Sequence, residues 1–134
     1  MLRSILEKNN VHLKTMKSSS LQDAYFRFAR LLDTVEKAPG FPKLDDLERK
    51  LLHFIALSIR EKKSPLVGDI IFNNEIGSPA TLSRRLSNLH NKKLIQYAED
   101  QDGRKKYLKL TPKSDKYFAM LGELLLAASS PKAK

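Results

Sequence analysis

The chain contains no cysteine. This excludes a disulfide scaffold, a thiol nucleophile, a thiol redox sensor and any cysteine-ligated zinc. No apolar run approaches the ~18 residues of a membrane span, so no membrane association is expected. Met1 to Lys8 hold neither a long apolar core nor a small-residue cleavage site. No secretory signal is read there, and a cytoplasmic location is expected. Glycine-rich phosphate loops, nucleophile elbows and metal-ligand spacings are also missing, so no enzyme, cofactor or metal is expected. The three histidines, His12, His53 and His90, stand far apart. His53 lies beside an apolar stripe and reads as structural; the other two read as surface residues. Acidic residues are few: 15 Asp and Glu face 25 Lys and Arg, a net charge of +10.

What is present is a globular composition, with 41% hydrophobic and 30% charged residues over 134 positions. That length suits one domain, able to bury roughly two-thirds of its unfolded surface. The charge excess points to a polyanion without naming DNA, RNA or a membrane surface. Its distribution says more. Residues 21–77 are balanced, the first twenty carry +3, and residues 78–113 carry +6. A generally basic chain would spread its excess; this one focuses it.

Periodicity divides the chain into elements. Leu2, Ile5, Leu6, Leu13 and Met16 suggest a helix over 2–17, which Asn9-Asn10 could interrupt. Leu21, Ala24, Tyr25, Phe28, Leu31, Leu32 and Val35 predict an amphipathic helix to about Lys37. Pro39-Gly40-Phe41-Pro42 breaks it. Asp45 followed by Glu48 is a capping box. The helix behind it has Leu47, Leu51, Phe54, Ile55, Ser58 and Ile59 as its expected buried stripe. Ser64-Pro65 and Ser78-Pro79 both read as helix starts, for a short helix at 65–73 and a longer one at 79–92. The short helix is expected to bury Leu66, Ile70 and Ile71. The period then falls to two. Leu94 to Glu99, a turn at Asp100-Gln101-Asp102-Gly103, and Arg104 to Leu110 predict a hairpin. Thr111-Pro112 opens a last helix, and the chain is expected to fray from Ala127.

The order helix, short helix, turn, helix, hairpin is that of a helix-turn-helix with a β-wing. In the 79–92 helix, Leu82, Leu86 and Leu89 must face the core. Ala80, Arg84, Ser87, Asn88 and Asn91 fall on the opposite face, flanked by Thr81 and Arg85. Arginine suits guanine edges and phosphates, asparagine suits adenine, and serine or threonine suits either base or phosphate. The hairpin presents Arg104, Lys105 and Lys106, placed for a minor groove, with Asp102 as a local partner orienting Arg104. Lys92, Lys93, Lys109 and Lys113 read as solvent charges or distant phosphate contacts. Tyr97 and Tyr107 read as packing between hairpin and core. A basic helix face taken alone is most often merely solvated, and an Asp-Gly hairpin alone is a plain turn; it is their order and shared charge that point to DNA.

The sequence here resembles the multiple antibiotic resistance regulator (MarR) family of winged-helix repressors. The likeness spans about Leu44 to Ser114. It rests on Thr81-Leu82-Ser83-Arg84-Arg85-Leu86-Ser87-Asn88-Leu89, on Lys92-Lys93-Leu94-Ile95, on Asp102-Gly103-Arg104, and on Leu108-Lys109-Leu110-Thr111-Pro112-Lys113. The resemblance implies that Arg104 sits at the minor groove and that Ser78, Thr81, Ser83, Arg84 and Asn88 lie at or near the major groove. Two family glycines are replaced, by Lys93 and Ser114. A left-handed lysine costs roughly 1 kcal/mol, which leaves open how the 79–92 helix ends.

The resemblance further implies a homodimer built from the terminal helices. The segments 2–16 and 117–128 carry more apolar residues than one small domain covers, in agreement. Leu2, Ile5, Leu6, Phe118, Leu121, Leu124 and Leu125 are the expected dimer residues. Packing of both segments on the 21–37 helix of the same chain is the alternative. The expected fold is therefore mainly α with a small hairpin: a winged helix-turn-helix at 44–111, with dimerisation helices at 1–38 and 112–134. The expected function is sequence-specific regulation of transcription through binding of double-stranded DNA, and the resemblance implies repression. The resemblance implies a family in which many members release DNA when a small aromatic acid binds; these residues name no effector. The other readings are a plasmid- or phage-type initiator or partition protein, a winged-helix protein–protein module docking an acidic surface, and a nonspecific nucleoid or RNA binder.

Overall fold

The computed structural model describes residues 1–11, 16–61, 63–72 and 75–130. Among them the chain forms α1 (Leu2–Lys8), α2 (Ser18–Glu36), α3 (Asp46–Arg60), α4 (Val67–Ile71), α5 (Pro79–Asn91), β1 (Ile95–Glu99), β2 (Lys106–Leu110) and α6 (Pro112–Ser129). It is mainly helical, with one two-stranded antiparallel sheet.

Capping signals explain the starts of α3, α5 and α6. Asp45 accepts from the Glu48 N–H at 2.7 Å, and the Glu48 carboxylate accepts from the Asp45 N–H at 3.2 Å, closing the first turn of α3. Ser78 accepts from the Thr81 N–H at 3.3 Å, with Pro79 at the first helical position of α5. Thr111 and Ser114 make a second reciprocal box at the start of α6, so the serine at an expected glycine position is buried and fully used. Each such cap is worth about 1 kcal/mol.

α5 ends on Lys93 with φ +63°. The Lys93 N–H donates to the His90 carbonyl at 2.9 Å and the Leu94 N–H to the Leu89 carbonyl at 3.0 Å. That is a Schellman ending built on a lysine instead of a glycine. The helix exit therefore keeps its geometry and carries the strain.

The core is formed by Leu51, Leu52 and Ile55 of α3, Ile70 of α4, Leu82, Leu86 and Leu89 of α5, Leu94, and Ile95 and Leu108 of the sheet, closed by Phe41 and Tyr117. The sheet pairs Ile95 with Leu110 and Glu99 with Lys106 at its two ends. α6 packs along α2, where Arg27 Nε donates to the Ala128 carbonyl at 2.9 Å. A cation at a helix C-terminus is favourable in the helix dipole field.

Several expectations are corrected. α1 stops at Lys8: Asn9 ends it and Asn10 turns left-handed at φ +59°. Met16 is exposed and non-helical, and Leu13 lies outside the described residues. Ser64-Pro65 does not start α4, whose N-cap is Leu66. The Pro65 carbonyl accepts the Leu108 N–H at 3.0 Å and Leu66 bridges Tyr107, so this segment is held extended against β2. Pairing with the sheet outweighs the local start signal. The buried face of α3 is Glu48, Leu51, Leu52, Ile55 and Ala56, while Phe54 is 37% exposed. The buried face is shifted from the expected one by Leu52 and Ala56, with Glu48 buried at its start beside Asn88 and Lys92 of the α5 end. α6 continues regularly to Ser129, beyond the expected fraying at Ala127.

Candidate functional site

α5 and the hairpin lie in the 78–113 stretch that carries +6 of the +10 charge, and the structure sorts their side chains by what each one touches. Ala80, Ser83, Arg84, Ser87 and Asn91 are exposed along one side of α5. Ser78 is exposed; its hydroxyl caps the helix and donates to Thr81 Oγ1 at 2.9 Å.

Arg85, Asn88 and Lys92 are placed differently. Arg85 Nε lies 3.1 Å from Asp45 Oδ2, an ion pair without hydrogen-bond alignment. Asn88 Nδ2 donates to Glu48 Oε2 at 2.9 Å, and Lys92 Nζ donates to Glu48 Oε1 at 2.6 Å. Glu48 is 3% exposed. Burial pushes its carboxyl up, but the bonds from Lys92, Asn88 and the Asp45 N–H outweigh this and leave it below its ordinary value. The expectation that Lys92 is a solvent charge is thus corrected. Its distant partner, 44 residues earlier in sequence, left no local signal.

The hairpin tip is organised by Asp100, a residue the sequence reading passed over. Its carboxylate accepts from the Arg104 N–H at 3.1 Å and the Lys105 N–H at 3.4 Å. Interaction with Asp102, and then backbone N–H groups of Lys105, Arg104 and Gly103, hold it below the usual carboxylate value against the opposing cost of desolvation. Gly103 takes φ +74°, the left-handed conformation this turn needs. Asp102 accepts from the Arg104 N–H at 3.2 Å, and its other oxygen lies 3.6 Å from Arg104 Nε. The Arg104 side chain is 85% exposed, and Lys105 and Lys106 are exposed beside it. Tyr107 is half-buried and bridges to Leu66; Tyr97 lies 4.7 Å from the His90 ring, centroid to centroid.

The exposed groups are thus Arg84 with Ser83, Ser87 and Asn91 on α5, and Arg104, Lys105 and Lys106 on the hairpin. Among the described residues no group of histidines and carboxylates could hold a metal ion, and no helix is long and apolar enough to cross a membrane. No family model, curated protein or solved structure matches the chain.

Away from this surface, the expected dimer residues divide. Leu124 is buried, and Leu6, Phe118 and Leu121 are half-covered, by packing within the chain. Leu2, Ile5 and Leu125 are 65%, 50% and 58% exposed. α6 thus spends part of its apolar surface on its own protomer. A cleft of about 870 Å³ opens between α3 and α6, lined by His53, Leu57, Arg60, Asp115 and Phe118 among others. His53 Nε2 lies 3.2 Å from the Tyr117 hydroxyl, the structural role expected of it. Burial, and then the Arg49 charge, push its imidazole below its ordinary pKa. His12 lies outside the described residues.

Proposed function

We propose that the protein is a sequence-specific double-stranded-DNA-binding regulator of transcription that acts as a homodimer. α5 is the recognition helix, the hairpin is the wing, and α4 and α5 form the helix-turn-helix of a winged-helix domain. The observation that carries this reading is the joint exposure of Arg84 on α5 and of Arg104, Lys105 and Lys106 on the hairpin, in the segment that holds the largest share of the charge excess. Arginine on a helix face reads guanine edges in a major groove, and arginine on a thin ribbon is drawn to the negative potential of a minor groove. The residue pattern that resembles the MarR family supports the same assignment.

The exposed apolar residues of α1, α2 and the end of α6 supply a surface for a second copy. Two copies related by a two-fold axis would set two recognition helices on half-sites about one helical turn apart.

Binding of purified protein to a duplex from a candidate upstream region and to a random duplex, each at two salt concentrations, tests the proposal. The upstream duplex is expected to bind at least ~10³-fold more tightly, with affinity falling steeply as salt rises. Equal affinity for both would overturn sequence-specific regulation, and no binding at low salt would favour a protein–protein module. Arg104→Ala is expected to weaken binding about tenfold or more with the dimer intact.

A further inference from the structure

α5 carries three stripes. Leu82, Leu86 and Leu89 enter the core, and Ala80, Arg84, Ser87 and Asn91 face outward. Arg85, Asn88 and Lys92, spaced i, i+3, i+7, do neither. All three end on the capping box of α3: Arg85 on Asp45, and Asn88 and Lys92 on the two oxygens of Glu48. Lys92 reaches further. Its Nζ donates to the Lys43 carbonyl at 2.6 Å, and its own carbonyl accepts from Lys113 Nζ at 2.9 Å, at the start of α6.

A carboxylate as buried as Glu48 persists only where partners satisfy both oxygens, and removing one partner strands the other. The geometry matters as much as the energy. Packing of the leucine stripe is non-directional and tolerates some roll of the helix. Hydrogen bonds are short and directional, and those from Asn88 and Lys92 anchor the last turn of α5, with the Arg85 ion pair one turn earlier. Base-edge contacts in a groove need the same directional accuracy.

Resting on the duplex-binding reading above, we infer that Glu48 is a positioning residue for α5. It sets the roll at which the outward stripe meets DNA, and with Asp45 it withholds Arg85, Asn88 and Lys92 from the duplex. The reading face of α5 is then Arg84, Ser87 and Asn91, with Ala80 allowing close approach.

A charge-swap cycle tests this. Lys92→Glu, Glu48→Lys and the double swap are compared for duplex affinity and, in the free protein, for amide hydrogen exchange along α5. Lys92→Glu is expected to weaken binding about tenfold or more and to speed exchange. The double swap restores the ion pair and the net charge but not the bonds that Glu48 accepts from Asn88 and the Asp45 N–H, so it should regain at least about threefold over Lys92→Glu in both readouts while staying below wild type. A double swap as weak as Lys92→Glu alone would overturn the inference, because Lys92 would then be a DNA contact in its own right.

A gentler arm covers failure of the swapped chains to fold. Asn88→Ala should weaken binding severalfold in the wild-type background, add little in Glu48→Gln, and leave the salt slope unchanged. Equal loss in both backgrounds would make Asn88 a base reader and sink the inference. If wild type binds no duplex, the functional reading falls separately. The exchange data alone then decide: coupled changes at 48, 88 and 92 support positioning, and independent changes contradict it.

Discussion

α3 and α5 bury Leu51, Leu52, Ile55, Leu82, Leu86 and Leu89 to 2% exposure or less, whereas α1 and α2 bury no residue at all. Leu2, Ile5, Leu21, Tyr25 and Phe26 of these outer helices are at least half exposed. The amphipathic pattern is equally plain in both regions of the sequence. The difference lies in what is available to pack against. The central helices meet each other and the sheet; α2 packs along α6, and Val35 near its end reaches the core. An apolar stripe thus states that a surface is to be covered, and the tertiary structure states whether the chain covers it alone. In the proposed dimer, the second copy completes the outer region.

The comparison breaks most sharply in the core. Leu86→Ala is expected to cost about 2–5 kcal/mol, since a fully enclosed site collapses poorly. Leu21→Ala, of the same chemistry but half exposed, should cost much less in the monomer. Denaturant melts of both at low protein concentration check this, and equal costs would erase the contrast between the regions. The outer face is sharpened by Leu125→Asp. It should raise the dimer dissociation constant at least about tenfold, ~1.4 kcal/mol, while leaving the monomer's melt unchanged. Sedimentation measurements across a concentration series read that shift.

Smaller effects lie where the two regions join. Lys93→Gly should stabilise the protein by up to about 1 kcal/mol, because glycine takes the left-handed conformation without strain although it gains unfolded-state entropy. Its thermal midpoint should rise with duplex binding unaltered. The smallest effect is expected at His53. Its folded pKa is depressed, so the stability it contributes is present above the ordinary value of 6.5 and is lost as pH falls through the lower folded value. Wild type should lose stability on acidification through this window, and His53→Gln should flatten that part of the profile.

The features legible in the sequence were those closed by neighbours in the chain. Asp45 with Glu48, Ser78 with Pro79, and Thr111 with Pro112 mark helix starts because a cap is satisfied within about one turn. The leucines of α5 follow from helical spacing, and the hairpin from its Asp-Gly turn. What stayed hidden depended on distant partners. Ser64-Pro65 has the local form of a helix start, but Leu108 and Tyr107 hold it extended. Asn88 and Arg85 sit at the border of the outward face, where reach across to Glu48 and Asp45 decides their direction. The sequence marked Glu48 as a cap; nothing local marked it as the buried anchor for a helix 40 residues away.

Selection of bound duplexes from a random pool, using the intact chain, tests the central claim most directly. The account predicts enrichment of a pseudopalindrome whose half-sites lie about 10 base pairs apart, lost from the Arg84→Ala protein. A pool that emerges unenriched, or enriched in a single unpaired site, would contradict a dimeric, sequence-reading regulator.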